Sequence, residues 1–166
     1  MRLLRSHGEH PRYTHRMSGG TSRLHTLQAA ILRVKLTRLE EENAQRRRLG
    51  AILLRELADC PGVRPPAPPL ADGDHVFHLL CVEADDRAAL RAHLAARGIA
   101  TAVHYPIPIH LQEAYSHLGL SRGSLPVVER LADRICSLPL FPAMTDTELA
   151  SVIDAVHQFG VRQPDS

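Results

Sequence analysis

An α+β fold, with a small and mostly antiparallel sheet covered by helices and preceded by a long helix, is the class that the sequence predicts. Apolar residues recur at threes and fours over residues 22–58, which is helical spacing. Two apolar runs, at 75–82 and 99–105, contain the aromatic and β-branched residues typical of strands. Capped amphipathic segments between and after these runs predict further helices, as in a sheet with helices packed against it.

The first predicted element is the long helix. Its apolar stripe consists of Leu24, Leu27, Ile31, Val34, Leu49, Ile52, Leu53 and Leu57. Ser22 is a suitable N-cap and Pro61-Gly62 ends the pattern, so one helix is predicted over 22–60, with a bend near Gly50. At 1.5 Å per residue such a helix spans on the order of 55 Å, which exceeds the width of a small domain. It is therefore expected to link that domain to something else.

Prolines, a capping aspartate and a glycine predict where the elements in the middle of the chain begin and end. Five prolines over 61–69 predict a stiff connection before the first strand. Asp85 or Asp86 is expected to cap a helix that runs to Arg97, with Gly98 as the C′ residue.

The last third of the chain predicts two more helices around a short extended segment. The first follows Gly123, and its expected inward residues are Val127, Val128, Leu131 and Ile135. Residues 137–142 form a strand or turn. Thr145 and Glu148 have the spacing of a capping box and open the final helix, whose apolar face is Leu149, Val152, Ile153 and Val156.

Charge and cysteine content disfavour several classes of protein. The 20 Lys and Arg residues interleave with 18 Asp and Glu residues, without the one-sided basic face typical of nucleic-acid binding. No apolar run approaches the length needed to span a bilayer, so no membrane partner is expected. Cys60, Cys81 and Cys136 are odd in number and widely separated, which favours a reducing, cytoplasmic setting over a disulfide framework.

A metal site is not expected either. Three histidines, His7, His10 and His15, cluster near the N-terminus, but their spacing matches no helical or zinc-finger pattern of ligands. Glu9 is the only acidic residue beside them that could orient a histidine ligand.

The strongest candidate for a functional segment is residues 104–115. It places His104, Tyr105, His110 and Gln112 around two prolines, just after a predicted strand. Proline fixes φ and removes a backbone donor, so this segment is predicted to be a rigid loop that presents polar side chains. Rigid polar loops are common places for binding sites.

Three motifs together resemble the pyridoxal-phosphate-dependent sugar aminotransferases of the DegT/StrS type. They are Ser22-Arg23-Leu24 with 27–32 (LQAAIL), residues 104–112 (HYPIPIHLQ) and residues 137–142 (SLPLFP), and their order and separation match that family. The resemblance runs from about residue 2 to 158 and covers only the C-terminal part of a family member. It implies the small domain of a fold-type-I pyridoxal-phosphate-dependent transferase.

This resemblance implies the domain boundaries. Residues 1–21 are expected to be a loop segment from the edge of the large domain, and 22–60 the linking helix. Residues 61–160 are the α+β small domain, and 161–166 a tail. In the family, a large domain holds pyridoxal phosphate and supplies the Schiff-base lysine. No catalytic residue is therefore assigned here, because Lys35, the only lysine, lies mid-helix outside the family's lysine motif.

The resemblance also implies binding roles. Thr21 stands where the family has an asparagine that reaches the cofactor phosphate of the other subunit, and Arg23 keeps the family's arginine, so both are candidate cofactor residues. Arg23 in a salt bridge within the dimer interface is an equally weighted alternative. His104, Tyr105, His110 and Gln112 are candidates for binding a nucleotide-linked keto-sugar or a cyclitol. His104 as a hydrogen-bonded residue at a strand end remains an alternative.

The expected partner is a second copy of the chain or a separate large-domain chain. The sequence alone favours a truncated or split aminotransferase that is inactive by itself. The alternative is a non-catalytic module for sugar-nucleotide binding or dimerisation, or an accessory subunit.

Overall fold

The computed structural model describes residues 1–67 and 75–160. The chain divides into two compact units, Met1–Glu40 and Glu41–Ser166. The predicted tail at 161–166 and the last prolines of the predicted connection lie outside the described residues. Within the described residues, no helix combines the length and the apolar composition needed to cross a bilayer.

The first unit contains an irregular segment and one helix, α1 (Thr26–Leu36). Backbone hydrogen bonds join the start of this segment to its end. Gly20 N–H donates to Leu4 O at 3.0 Å, and Ser22 N–H donates to Arg5 O at 3.0 Å. Ser22 is not the N-cap that the sequence predicted. His25 takes that place, and its N–H donates to Gln28 Oε1 at 3.4 Å.

The single helix predicted over 22–60 is replaced by two helices, because α2 (Leu39–Glu56) starts after a turn at Thr37 and Arg38. The turn forms where the Thr37 side chain and backbone both donate to Val34 O, at 2.8 and 3.3 Å. A threonine that bonds back to its own helix competes with the regular pattern of helical hydrogen bonds. At Gly50, where a bend was expected, α2 continues without interruption.

The second unit confirms the predicted α+β class. It contains an antiparallel sheet of β1 (Val63–Arg64), β2 (Leu80–Ala84) and β3 (Ile135–Leu138) in that spatial order. Its helices beyond α2 are α3 (Arg87–Ala95), α4 (Pro126–Arg134) and α5 (Asp146–Gly160). Two short 3₁₀ helices, Ile109–Leu111 and Glu113–Leu118, lie between α3 and α4.

Both strand predictions need correction. The strand expected at 75–82 lies at Leu80–Ala84, and Arg46 occupies the carbonyl groups of Phe77 and His78 with hydrogen bonds of 3.2 Å each. These carbonyls are therefore satisfied by a side chain instead of a neighbouring strand. The second predicted strand, 99–105, contributes only one bridge, in which Ala102 pairs with Ser137.

The core of the second unit lies where α2, α3 and α5 meet the sheet. Its fully enclosed side chains are Leu49, Leu53, Leu57, Val63, Leu80, Val82, Leu90, Leu94, Cys136 and Val156. The predicted apolar face of α5 is confirmed at Leu149, Val152 and Val156, all buried, with Ile153 packed at the edge.

The predicted inward face of α4 is partly wrong. Val127 and Val128 are exposed, whereas Glu129 and Ala132 are buried. A carboxylate occupies the inward stripe there because it has three hydrogen-bonding partners in the interior, described below.

The predicted N-terminal caps of α3 and α5 are confirmed, whereas α3 ends at Ala95 with Ala96 as its C-cap and does not run to Arg97. Asp86 Oδ1 accepts a hydrogen bond from Ala89 N–H at 2.8 Å, and Gly98, with φ of +74°, follows α3. Thr145 N–H donates to Glu148 Oε2 at 2.8 Å while Glu148 N–H donates to Thr145 Oγ1 at 3.2 Å, which completes the capping box of α5.

Gly50 on α2 is expected to be intolerant of a side chain. A Cβ built there would lie 2.4 Å from Phe77 Cγ, inside van der Waals contact. Overpacking costs about 1–3 kcal/mol, while the helix-propensity gain from Gly→Ala is at most about 1 kcal/mol. Gly50→Ala should therefore lower the free energy of unfolding, measured by urea denaturation.

Phe77→Ala provides the matched control for this change. In that background the ring is gone, so Gly50→Ala should become neutral or stabilising, in a double-mutant cycle. Equal effects of Gly50→Ala in both backgrounds would contradict the steric explanation.

Candidate functional site

The candidate cofactor residues lie in the first unit, on an exposed extended segment before α1. Thr21 forms a backbone bridge with Ser6, and its Oγ1 lies 2.6 Å from His7 Nε2. Arg23 is exposed two residues further on. The bridge to Ser6 therefore fixes the backbone that carries both side chains.

The four candidate substrate residues lie in the second unit, on the segment between α3 and α4. As predicted, this segment is a loop, interrupted only by the short 3₁₀ helices. Tyr105 is 73% exposed, and its ring meets that of His104 edge-on with centroids 5.5 Å apart. Gln112 is exposed and its side-chain amide donates to Ile107 O at 3.4 Å, a contact within the loop.

His104 is half-buried against the sheet. Its Nδ1 lies 2.8 Å from the Oγ of Ser137 in β3, and that Oγ lies 3.0 Å from Cys81 Sγ in β2. Ser137 is 4% exposed. The first and last motifs of the second unit, at 104–112 and 137–142, are thus joined through the side chains of His104 and Ser137.

His110 points into the protein and is 6% exposed. Its Nε2 lies 3.0 Å from Glu129 Oε1 on α4. The Glu129 carboxylate also accepts from the backbone N–H groups of Gly123, at 2.8 Å, and Leu125, at 3.1 Å. One buried carboxylate therefore holds the loop at 104–112 and the loop before α4 together.

The environment of Glu129 favours its ionised form. The Gly123 N–H is the main cause that lowers the pKa of Glu129, and the Leu125 N–H and His110 add to it against the opposing effect of burial. As the carboxylate accepts, His110 Nε2 donates.

Sequence reasoning did not single out Glu129 or Ser137. A signal for Glu129 was present, because it lies three residues before buried Ala132 and seven before buried Cys136, on what is otherwise an apolar stripe. A carboxylate on such a stripe indicates a buried partner. Ser137 had only the weaker signal of belonging to a motif.

Among the residues that the structure describes, the second unit has two open clefts that are lined by other residues than the candidates. One, of about 290 Å³, lies between the end of α3 and α5 and includes Arg97, Phe141 and Met144. The other, of about 430 Å³, lies between α2 and α5 and includes Arg48, Ile52 and Asp146. Of the four candidate substrate residues, Tyr105 and Gln112 are thus exposed on a surface loop, His104 is half-buried and His110 is buried.

A model of the DegT/DnrJ/EryC1/StrS aminotransferase family matches residues 1–157. The dTDP-3-amino-3,4,6-trideoxy-alpha-D-glucose transaminase of Streptomyces venezuelae is 41% identical over 98% of the chain and 42% of its own length. The dTDP-3-amino-3,6-dideoxy-alpha-D-galactopyranose transaminase of Aneurinibacillus thermoaerophilus is 38% identical over 96% of the chain and 43% of its own length.

The fold also matches a solved structure. The crystal structure of S. venezuelae DesV in complex with a ketimine intermediate superposes with a TM-score of 0.91 at 41% identity, covering 98% of this chain and 44% of that one. The chain therefore spans less than half the length of the relatives that it matches.

The Glu129 contacts predict sensitivity to acid. Because the pKa of Glu129 is lower in the folded chain than in the unfolded one, its contribution to stability is complete above the unfolded value of about 4.3 and is lost as the pH falls through the folded value. Glu129→Gln should reduce the free energy of unfolding at pH 7 and flatten its dependence on pH below about 4.3.

Urea denaturation at pH 7, 5, 4 and 3 measures both effects. Glu113→Gln, at an exposed position in the same region, removes the same charge and is the control. If Glu129→Gln and Glu113→Gln gave the same stability profile, the buried contacts of Glu129 would not carry the effect.

Proposed function

Because the chain belongs to the DegT/DnrJ/EryC1/StrS aminotransferase family, we propose that it forms the C-terminal portion of a pyridoxal-phosphate-dependent aminotransferase acting on a nucleotide-linked keto-sugar. The observation that carries the proposal is the match along residues 1–157. Both relatives named above are transaminases of dTDP-linked amino sugars, which supports a nucleotide sugar as the substrate class.

The residues present suit the phosphate end of the cofactor. When bound, pyridoxal phosphate supplies the electron-accepting ring system for moving an amino group. Arg23 is an exposed guanidinium that can bind a phosphate bidentately. The Thr21 hydroxyl can donate to a phosphate oxygen when its own oxygen accepts from His7 Nε2.

The lysine required by the reaction comes, in this proposal, from a further part of the enzyme, in the same polypeptide or in a partner. Lys35 is a poor candidate, since it is exposed near the end of α1 with Arg33 close by. A lysine that reacts with a carbonyl compound needs desolvation or a neighbouring base to be deprotonated. The residues of this chain would then bind and orient the cofactor and substrate, and would not react with them.

The substrate loop supplies the groups proposed to contact the sugar. His104, Tyr105 and Gln112 carry N–H and O–H groups that suit sugar hydroxyls and phosphate oxygens. His110 is proposed to act on the substrate through the shape of this loop, because its Nε2 is already bound to Glu129.

Mutations in the first unit test the cofactor assignment. In the enzyme assembled from this chain and a lysine-bearing large domain, Arg23→Ala should weaken pyridoxal phosphate binding by roughly 10- to 150-fold, the loss of one charge-assisted hydrogen bond. Thr21→Asn should strengthen binding, as the longer amide reaches further. Equilibrium dialysis with absorbance detection gives both constants.

Arg5→Ala is the matched control, since Arg5 is an exposed arginine of the same unit. Unchanged affinity in both Arg23→Ala and Thr21→Asn would mean that this segment has no cofactor role.

The exposed apolar side chains of α1 favour a role in protein–protein association, either alongside catalysis or in place of it. None of the residues of α1 is buried, and its exposed apolar side chains are Leu27, Ile31, Leu32, Val34 and Leu36. Exposed apolar surface of this kind is typical of an interaction site. The same surface suits a second copy of the chain, a large domain, or a dimerisation module without catalysis.

The chain by itself should therefore self-associate, and Ile31→Glu should shift it toward the monomer in sedimentation velocity at micromolar concentrations. Gln28→Glu is the control, because it adds the same charge to α1 and removes no apolar group. A monomeric wild-type chain across this range would argue against α1 as an interaction surface.

A further inference from the structure

The three side chains of Cys81, Ser137 and His104 form one hydrogen-bonded series across the sheet. Cys81 and Ser137 are direct cross-strand partners in the register of β2 and β3. Ser137 Oγ lies 3.0 Å from Cys81 Sγ on one side and 2.8 Å from His104 Nδ1 on the other. A serine hydroxyl has a single proton, so only one of these two contacts can receive it.

Backbone hydrogen bonds between Ser137 and Ala102 also hold this arrangement in place. Ser137 N–H donates to Ala102 O at 2.8 Å, and Ala102 N–H donates to Ser137 O at 3.3 Å. His104 is two residues beyond Ala102, so its position relative to Ser137 is held by main-chain as well as side-chain contacts. Ser137 is 4% exposed, which leaves little room for water to replace these partners.

The direction of the hydrogen bonds follows from the strength of the acceptors. An imidazole nitrogen is a good acceptor, whereas a thiol sulfur is a weak one and also a weak donor. The favourable order is Cys81 S–H to Ser137 Oγ, and Ser137 O–H to His104 Nδ1. In the reverse order the Ser137 hydroxyl would donate its proton to the Cys81 sulfur, which is a weak acceptor. When Nδ1 accepts in a neutral imidazole, the ring proton is on Nε2.

We propose that Ser137 is a positioning residue whose hydroxyl holds the His104 proton on Nε2, as a hydrogen-bond donor to an oxygen of the nucleotide sugar. The donor role rests on the proposed function, whereas the position of the proton does not. Nδ1 is occupied by Ser137, so Nε2 is the ring nitrogen left to face a ligand. Within residues 1–67 and 75–160 the structure shows no hydrogen bond to that atom.

The tautomer can be measured on the chain as it is. Long-range ¹H–¹⁵N NMR at pH 8, above the range in which histidines normally titrate, distinguishes a proton on Nδ1 from one on Nε2. Two histidines provide internal references, since a carbonyl oxygen only accepts. His93 Nε2 lies 2.9 Å from Ala155 O and must carry the proton there, while His15 Nδ1 lies 3.0 Å from His7 O and must carry it on Nδ1.

Wild-type His104 should show the His93 pattern, and Ser137→Ala should move it toward the mixed pattern of a solvated imidazole. Ser137→Thr keeps the hydroxyl and should restore the wild-type pattern. Ser151→Ala removes a hydroxyl from α5 and is the control. A His15-like pattern in the wild type overturns the proposal even if no Ser137 variant folds, and an unchanged pattern in a folded Ser137→Ala overturns it as well.

Titration of the enzyme assembled from this chain and a lysine-bearing large domain with thymidine diphosphate, the nucleotide named in the relatives' sugars, tests the donor role. His104 Nε2–H should shift on binding, and Ser137→Ala should weaken binding by roughly 2- to 10-fold, the loss expected for one hydrogen bond. If the tautomer is as proposed but no residue of 104–112 responds to the nucleotide, the donor role and the proposed substrate class fail, while the assignment of the proton to Nε2 stands.

Discussion

Strand β3 is the constraint on which the organisation of the second unit depends. It pairs with β2 through four consecutive partners, and on its other side Ser137 pairs with Ala102. Shifting a strand by one residue turns every side chain to the opposite face. A shift of β3 would therefore bury different side chains and would also separate the Ser137 hydroxyl from His104 and Cys81.

A second fixed point controls the far end of the loop at 104–112. His110 and Glu129 are both buried, and Glu129 additionally binds two backbone N–H groups of the loop before α4. Removing one member of a buried polar group leaves the others unsatisfied, which costs more than the net value of a single bond. The loop is thus fixed at His104 against the sheet and at His110 against α4, and the exposed Tyr105 lies between these two points.

A loop that is fixed at these two positions can contribute binding residues to a site that a further protein surface completes. Binding residues on a rigid loop lose little conformational entropy when a ligand arrives. The chain spans less than half the length of its relatives, and we propose that the polar loop at 104–112 and the exposed apolar side chains of α1 contact the remainder of a larger enzyme. In the function proposed above, these residues position the cofactor and the substrate, and the reactive lysine comes from another part of the enzyme.

The sequence by itself determined the class of fold, the family, and the features encoded within a few residues. The caps at Asp86 and Thr145 and the glycine after α3 were predictable, because each donor lies within about four residues of its acceptor. The turn at Thr37, which divides the predicted long helix, is also local, but helical periodicity continues across it and conceals it.

Tertiary structure decided the contacts that give the candidate site its chemistry. Arg46 occupies the Phe77 and His78 carbonyls from 31 and 32 residues away, and this is why the predicted strand begins late. His110 meets Glu129 across 19 residues, and His104 meets Ser137 across 33. Such pairs form only after strand register and helix packing bring distant segments together, and no local pattern of residue types specifies which polar group will find which partner.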